Sequence, residues 1–224
     1  MAHRVSAFGF MPNPLKAPAD FAAVMNEEQQ LLVPLEQYLG AGIHIGTKFR
    51  TEHMHKYIYK INPNGLCVLN VQDIDKKIAQ AAKILGKFAP EDILVVGRRE
   101  NAWKAVKAFA KVTGVKFYAG RYPAGVITNT NLKTYFEPKI MLVVDPFPDK
   151  NAIHDALLSG IPVVALCDSN NTIECVDFVV PCNNKGSKSI GLIFWILASR
   201  YMQERGSLPR DTLIDTPVDV FMAE

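Results

Sequence analysis

The chain lacks most of the features that would place it in a class at once. Its 224 residues hold four cysteines, Cys67, Cys167, Cys175 and Cys182, none in a Cys-x-x-Cys pair or at zinc-finger spacing. That excludes a disulfide framework. Four scattered thiols in a chain of this length read as reduced core residues of a cytosolic protein. Long hydrophobic runs are missing too. The longest, Ile190 to Ala198, has nine residues, about half of what crosses a bilayer. The first residues carry no apolar stretch suited to a secretory signal. Net charge is only +3, so no global excess of one sign demands a polyanion. There is no Gly-x-Gly-x-x-Gly, no Gly-x-x-x-x-Gly-Lys-Ser/Thr and no Gly-x-Ser-x-Gly frame. Gly186 stands between Lys185 and Ser187 without the rest of a phosphate loop. No cysteine has a clear histidine partner.

What is present is a hydrophobic fraction of 49% and enough length for a substantial core. Charge is unevenly spread. From Gly97 to Arg121 there are seven basic residues and one acid, whereas Ser207 to Glu224 carries four acids and one Arg. Such asymmetry points to a polyanion partner or an interaction tail, although a solvated lysine face gives the same count. Residues 1–33, broken by Pro12, Pro14 and Pro18, read as an N-terminal extension that becomes ordered on a partner. Residues 207–224 read as an acidic C-terminal tail.

Between them the pattern alternates. A short helix over 34–41 leads to a β-hairpin of 57–61 and 66–71, joined by Asn62-Pro63-Asn64-Gly65, a strong turn signal. From Asp73 the apolar residues Ile74, Ile78, Ala81, Ala82 and Leu85 recur at helical spacing. Short apolar runs then appear at 93–96, 115–119, 140–144, 162–166 and 178–180. Helical stretches follow the first, third and last of these. The helix beginning at Ser187 or Ser189 is apolar almost all round and must lie deep. Short, wholly apolar strands alternating with helices imply a mainly parallel α/β sheet covered on both faces. Ligands of such sheets bind at the carboxyl edge of the strands.

That edge holds the candidate residues. Between Ala119 and Ile140 lie about twenty residues with no period, long for a loop in a compact domain. Gly120, Pro123 and Gly125 give this loop turn chemistry, and no acid occurs in it before Glu137. Arg121 offers a phosphate donor and Tyr122 a stacking face, with Asn129 nearby. Arg98 and Arg99 follow the strand at 93–96. Asn183, Asn184, Lys185 and Lys188 follow the last strand. His44, Thr47, Lys48 and Arg50 lie in a basic segment before the hairpin. The triplet His44, His53, His55 has no Cys or carboxylate at zinc spacing nearby, so no metal site is expected. Cations interleaved with asparagines and aromatics suit folded RNA, where phosphates, 2′-hydroxyls and shape are read more than base edges. The competing reading is a nucleotide-binding enzyme or regulator. It would use Asp145 and Asp168, which end successive apolar runs and could hold a metal or cap the helices after them.

Several separated stretches resemble the universal small-subunit ribosomal protein "S-two" family in its archaeal-type branch. They are Ala41-Gly42-Ile43-His44-Ile45-Gly46-Thr47, Tyr57-Ile58-Tyr59 with Gly65 to Asn70, the loop Gly120 to Asn129, Phe136-Glu137-Pro138 and Asp145-Pro146. Ile161 to Cys167 with Val176-Asp177, then Pro181 to Gly186 with Trp195 to Ala198, complete the set. The likeness spans roughly residues 34–206. It departs from the family at Ala124 and Val126, which interrupt a Pro-Gly pair and replace a Thr, and at Phe147-Pro148, where a basic residue is usual. The resemblance implies a flavodoxin-like three-layer sandwich. It also implies a non-catalytic structural role in translation, binding small-subunit ribosomal RNA at the junction of head and body beside other ribosomal proteins in the cytoplasm. No cofactor, small-molecule substrate or membrane would be involved.

Overall fold

Hydrophobic period decides the architecture of the computed structural model, which describes residues 31–209 and 212–222. The reading of residues 1–30 as an extension lies outside the described residues. Residues 31–224 form one unit. Helix α1 (Leu35–Ala41) ends at Gly42, whose φ of 68° turns the chain back. After a 3-10 turn over 52–57 come the hairpin strands β1 (Ile58–Ile61) and β2 (Cys67–Leu69). Helix α2 (Val71–Gly86) starts where the side chain of Asn70 accepts the Gln72 N–H, an N-cap that satisfies one orphan donor. Then follow β3 (Ile93–Gly97), α3 (Glu100–Thr113), β4 (Lys116–Ala119), β5 (Ile140–Val143) and α4 (Lys150–Leu158). The order closes with β6 (Val163–Cys167), β7 (Phe178–Pro181) and α5 (Ser187–Glu204).

The five strands β3 to β7 pair in parallel in the order β4-β3-β5-β6-β7. Every residue of β3, β5 and β6 is buried, which is why these runs are apolar without alternation. The path from β3 to β4 moves one way across the sheet, and the paths from β4 to β5 and from β5 to β6 move the other. Right-handed crossovers therefore place α3 on one face and α4 on the opposite one. Helix α5 packs against both α2 and α3, so these three share a face. Phe109 of α3 meets Phe194 of α5 edge-on at 5.4 Å. Burying each of these rings contributes roughly 1.5–3 kcal/mol.

The other face is covered differently. Helix α4 buries only Ala152, Ile153 and Ala156. The remaining cover is the long loop 120–139, which carries Tyr122, Val126 and Ile127 into the core. Gly125 N–H and Tyr122 O–H both donate to Asp155 of α4, and Ser159 O–H donates to the Ile127 carbonyl. The loop takes the place of a crossover helix.

The hairpin and α1 pack at the β7 side. Buried Asp75 of α2 accepts from Tyr38 O–H at 2.7 Å and from Leu32 N–H at 3.0 Å. Burial pushes the Tyr38 hydroxyl far above its ordinary pKa, and the Asp75 hydrogen bond adds to this. The segment beyond α5 returns along that helix. Ile214 and Phe221 are buried, Trp195 donates to the Thr216 carbonyl at 2.8 Å, and a Cβ at Gly191 would come 2.8 Å from Met222 and 3.0 Å from the Phe221 carbonyl oxygen. Three cysteines are core residues as their scatter suggested, but Cys175 is exposed.

Candidate nucleic-acid interface

Parallel strands bring all their carboxyl ends to one edge, and the chain leaves each strand there through a polar turn. β3 ends at Gly97, where a Cβ would lie 2.9 Å from Val144 and 3.3 Å from Val106. Only glycine admits that approach of sheet and helix. The next residues, Arg98 and Arg99, open α3. Arg99 donates to Asp145 at the end of β5, and the Asp145 side chain is 1% exposed. Asp145 also accepts from Phe147 N–H at 3.0 Å and from the Asn171 side chain at 2.9 Å. The Asn171 side-chain oxygen in turn accepts from Asp168 N–H and from the Asn184 side chain. Asp168, at the end of β6, accepts from Ser169 N–H at 2.6 Å and pairs with the Lys185 ammonium at 3.3 Å. Lys185 also donates to the Asn170 side chain at 2.9 Å. A continuous network thus runs from the start of α3 to the turn before α5.

This network answers the enzyme reading. Asp145 and Asp168 each hold an internal cation and neighbouring backbone N–H groups, so neither is a free metal ligand. They cap the turns after their strands. The residue that precedes α4 is Asp149, and its side chain makes no helix-capping bond. It instead accepts the Arg98 N–H at 3.2 Å. Asp149 is 2% exposed, and its other oxygen has no partner. Burial pushes its carboxyl up to about 6, with the charge of Asp145 adding to the rise and the Arg98 N–H opposing it. Among the described residues no cluster of His, Cys, Asp and Glu could hold a metal ion.

The predicted site residues sort by what their side chains touch. Lys48, Arg50, Arg98, Arg121 and Lys188 are exposed. Arg98 donates one bond, to the Pro148 carbonyl at 3.3 Å. Arg121, next to Gly120 at φ 109°, has no partner among the described residues. Thr47 bonds Ser169, just past the end of β6, through both its N–H and its hydroxyl, each at 2.9 Å. That brings Lys48 and Arg50 to the same edge as Arg98, Arg99, Arg121 and Lys185. Asn183 ties the last turn together. Its side chain donates to the Gly42 carbonyl and accepts from Lys185 and Gly186 N–H. Asn184 is fully buried, donating to the Leu166 carbonyl at 2.9 Å and to Asn171 at 3.0 Å. Tyr122 is also buried, at 5% exposure. Burial first, then the Asp155 charge, lifts its hydroxyl well above the ordinary tyrosine range. It anchors the loop to α4 rather than offering a stacking face, because Tyr118 already meets it edge-on at 5.8 Å. Asn129 is exposed and accepts from Asn131 N–H. It lies two residues past Ile127, whose carbonyl accepts from Ser159 at the end of α4 that leads into β6. His44 is half-buried, and burial holds its pKa below the usual value.

Sequence reasoning passed over two exposed aromatics, Phe49 at 81% and Tyr59 at 73%. The signal was there: each sits directly beside a cation, in Lys48-Phe49-Arg50 and in Tyr59-Lys60.

Known proteins are similar to this sequence. A family model described as Ribosomal protein S2 matches residues 38–137 and 131–203. A protein named small ribosomal subunit protein uS2 from Nanoarchaeum equitans is 48% identical over 190 residues, covering 85% of this chain and 94% of its own. Its namesake from Thermoplasma volcanium is 41% identical over 197 residues, with 88% and 99% covered. The one from Saccharolobus solfataricus is 43% identical over 192 residues, with 86% and 83% covered.

Proposed function

The chain belongs to the ribosomal protein S2 family, and from that membership we propose that it is a structural, non-enzymatic constituent of the small ribosomal subunit that holds ribosomal RNA at the junction of head and body. The observation that supports RNA binding is the division of charge at the strand edge. Of the carboxylates there, Asp145 and Asp168 are matched internally by Arg99 and Lys185 and Asp149 is buried, whereas Lys48, Arg50, Arg98, Arg121 and Lys188 are exposed as surplus positive charge. Exposed cations on turns fixed by a buried polar network suit phosphates held at set positions, with little reading of base edges. Arg99 and Lys185, part-exposed, add to that field while bracing it. Thr47, Tyr122, Asn183 and Asn184 act by shaping the turns. In this reading residues 34–206 are the RNA-binding core. Residues 1–33 serve contacts with neighbouring ribosomal proteins.

Sedimentation tests this. In lysate the 24.9 kDa chain should migrate with small subunits at low salt and be shed as salt rises, since phosphate contacts are lost steeply with ionic strength. Migration as a free species at every salt concentration would refute the ribosomal reading.

A further inference from the structure

The outer face of the hairpin is not used by the strand-edge contacts. β2 sends Cys67 and Leu69 into the core and leaves Val68 half-exposed between them. Lys60 pairs with Val68 on one side, and Ile45 bridges to it on the other. The pairing of β1 is irregular between Ile58 and Lys60, so Tyr59 is the extra residue of a bulge. Bulges re-aim side chains, and here the Tyr59 ring is 73% exposed. Beside this face runs a groove of about 600 Å³ whose walls include Leu39, His44, Tyr59, Lys60, Asn62 and Gln72. That volume is within the range of small-ligand clefts, about 300–1,000 Å³.

The lining chemistry is specific. No acid is among the described residues that line the groove, and no described carboxylate pairs with Lys60. The side-chain amides of Asn62 and Gln72 have no hydrogen bond with any described residue, and each offers both donors and an acceptor. The His44 Nδ1 is buried without a partner, so any bond this ring makes to a ligand in the groove falls to its other nitrogen. Burial lowers the pKa of this imidazole. An added peptide strand would need a straight open edge, and the bulge with Lys60 blunts the edge of β1. An apolar protein surface would leave two amides and an ammonium unpaired. An aromatic face, amides and a lone cation together match a nucleobase and its phosphate.

We propose that this groove receives one unpaired nucleotide, its base stacked on Tyr59, its edge bonded by Asn62, Gln72 and His44, and its phosphate at Lys60. The proposal rests on the RNA-binding reading above and names a ligand for a face which that reading leaves empty.

The test uses small subunits from cells carrying the full-length protein. Wild-type protein is first shown to sediment with the subunits; its absence would refute the RNA-binding reading itself, before any substitution is made. Base-selective chemical probing is then compared between wild type and Tyr59→Ala. The expected result is that the protein stays bound while one unpaired nucleotide gains reactivity. Its unstacked fraction should rise by about 5- to 150-fold, the span of one base–aromatic stack. Tyr59→Phe should keep the protection, because stacking needs the ring and not the hydroxyl. Retained protein with unchanged reactivity at every nucleotide overturns the proposal. A photocrosslinker introduced as Tyr59→p-benzoylphenylalanine decides the case in which Tyr59→Ala is shed. A crosslink to RNA supports the groove, whereas a crosslink to a protein, or none, overturns it.

Discussion

Arg99 and Arg121 are the same residue type on the same strand edge, and the structure gives them different work. Arg99→Ala would remove the cation from Asp145, a carboxylate 1% exposed. Breaking a buried ion pair from one side costs about 3–5 kcal/mol. Two facts reduce that figure here. Asp145 keeps its bonds from Phe147 N–H and Asn171, and the Arg99 side chain is 32% exposed, where solvent already screens the pair. A loss of roughly 2–3 kcal/mol remains. With a urea slope of about 2 kcal/mol per molar, the unfolding midpoint should fall by roughly 1–1.5 M. Arg121→Ala touches no described partner, so its midpoint should move by less than about 0.5 kcal/mol equivalent. Its effect should appear in RNA binding, where losing one phosphate contact lowers the slope of log K against log salt by roughly 0.7–0.9. The assay is urea unfolding of both variants followed by Trp103 and Trp195 fluorescence, paired with salt-titrated binding to small-subunit RNA. Adding Asp145→Asn to Arg99→Ala should recover part of the loss, because the buried charge goes and an acceptor for Phe147 N–H stays. An Arg99→Ala midpoint equal to wild type, or an Arg121→Ala midpoint equally depressed, would refute the division of roles.

Three further outcomes are expected. Tyr122→Phe deletes the hydroxyl that donates to Asp155 at 3.2 Å and should cost about 1–2 kcal/mol, read as a lower melting midpoint and earlier proteolysis within 120–139. Asp149 binds its proton more tightly folded than unfolded, since burial pushes its carboxyl up to about 6. Its contribution to stability is therefore complete below about pH 4 and is lost as pH rises through 6; Asp149→Asn should flatten that part of the stability curve and raise stability at pH 7 by up to about 3 kcal/mol, which urea midpoints at pH 4, 5, 6 and 7 would show. Phe221→Ala empties a fully buried position on the segment that packs along α5 and should cost about 3–5 kcal/mol in thermal unfolding, whereas Val220→Ala, 43% exposed, should change little.

Much of this fold is readable because its elements obey one period each. Ile74, Ile78 and Leu85 mark the buried stripe of α2, and the unbroken apolar runs of β3, β5 and β6 can only be strands covered on both faces. The resemblance to a known family added the strand-edge motifs. The features that escaped did so for physical reasons. The loop 120–139 has no period, so nothing in its spacing shows that Tyr122, Val126 and Ile127 face inward onto α4. The 3-10 turn over 52–57 and the early start of α2 at Val71 shorten a hairpin whose turn was otherwise plain. The partner of Arg99 lies 46 residues away, and that of Thr47 lies 122 away, so no local pattern separates a bracing arginine from an open one. The acids of the last segment hid its packing. Ile214 and Phe221 are buried among them, and the run reads as a tail by charge alone.

The position of α5 has a consequence for how the chain is made. Synthesis runs from the amino end and domains fold as units, yet the helix that seals the α2–α3 face is produced after both of those helices and after every strand of the sheet. Until Ser187 to Glu204 has emerged, the apolar side of β3, β5 and β6 beneath it stays uncovered. Until residues 212–222 emerge in turn, Gly191 and its neighbours lack their strap. A chain that ended before α5 would leave that apolar face open to solvent and to proteases. Closure of the α2–α3 face is thus a late event of synthesis, because it waits on a helix encoded after every strand it covers.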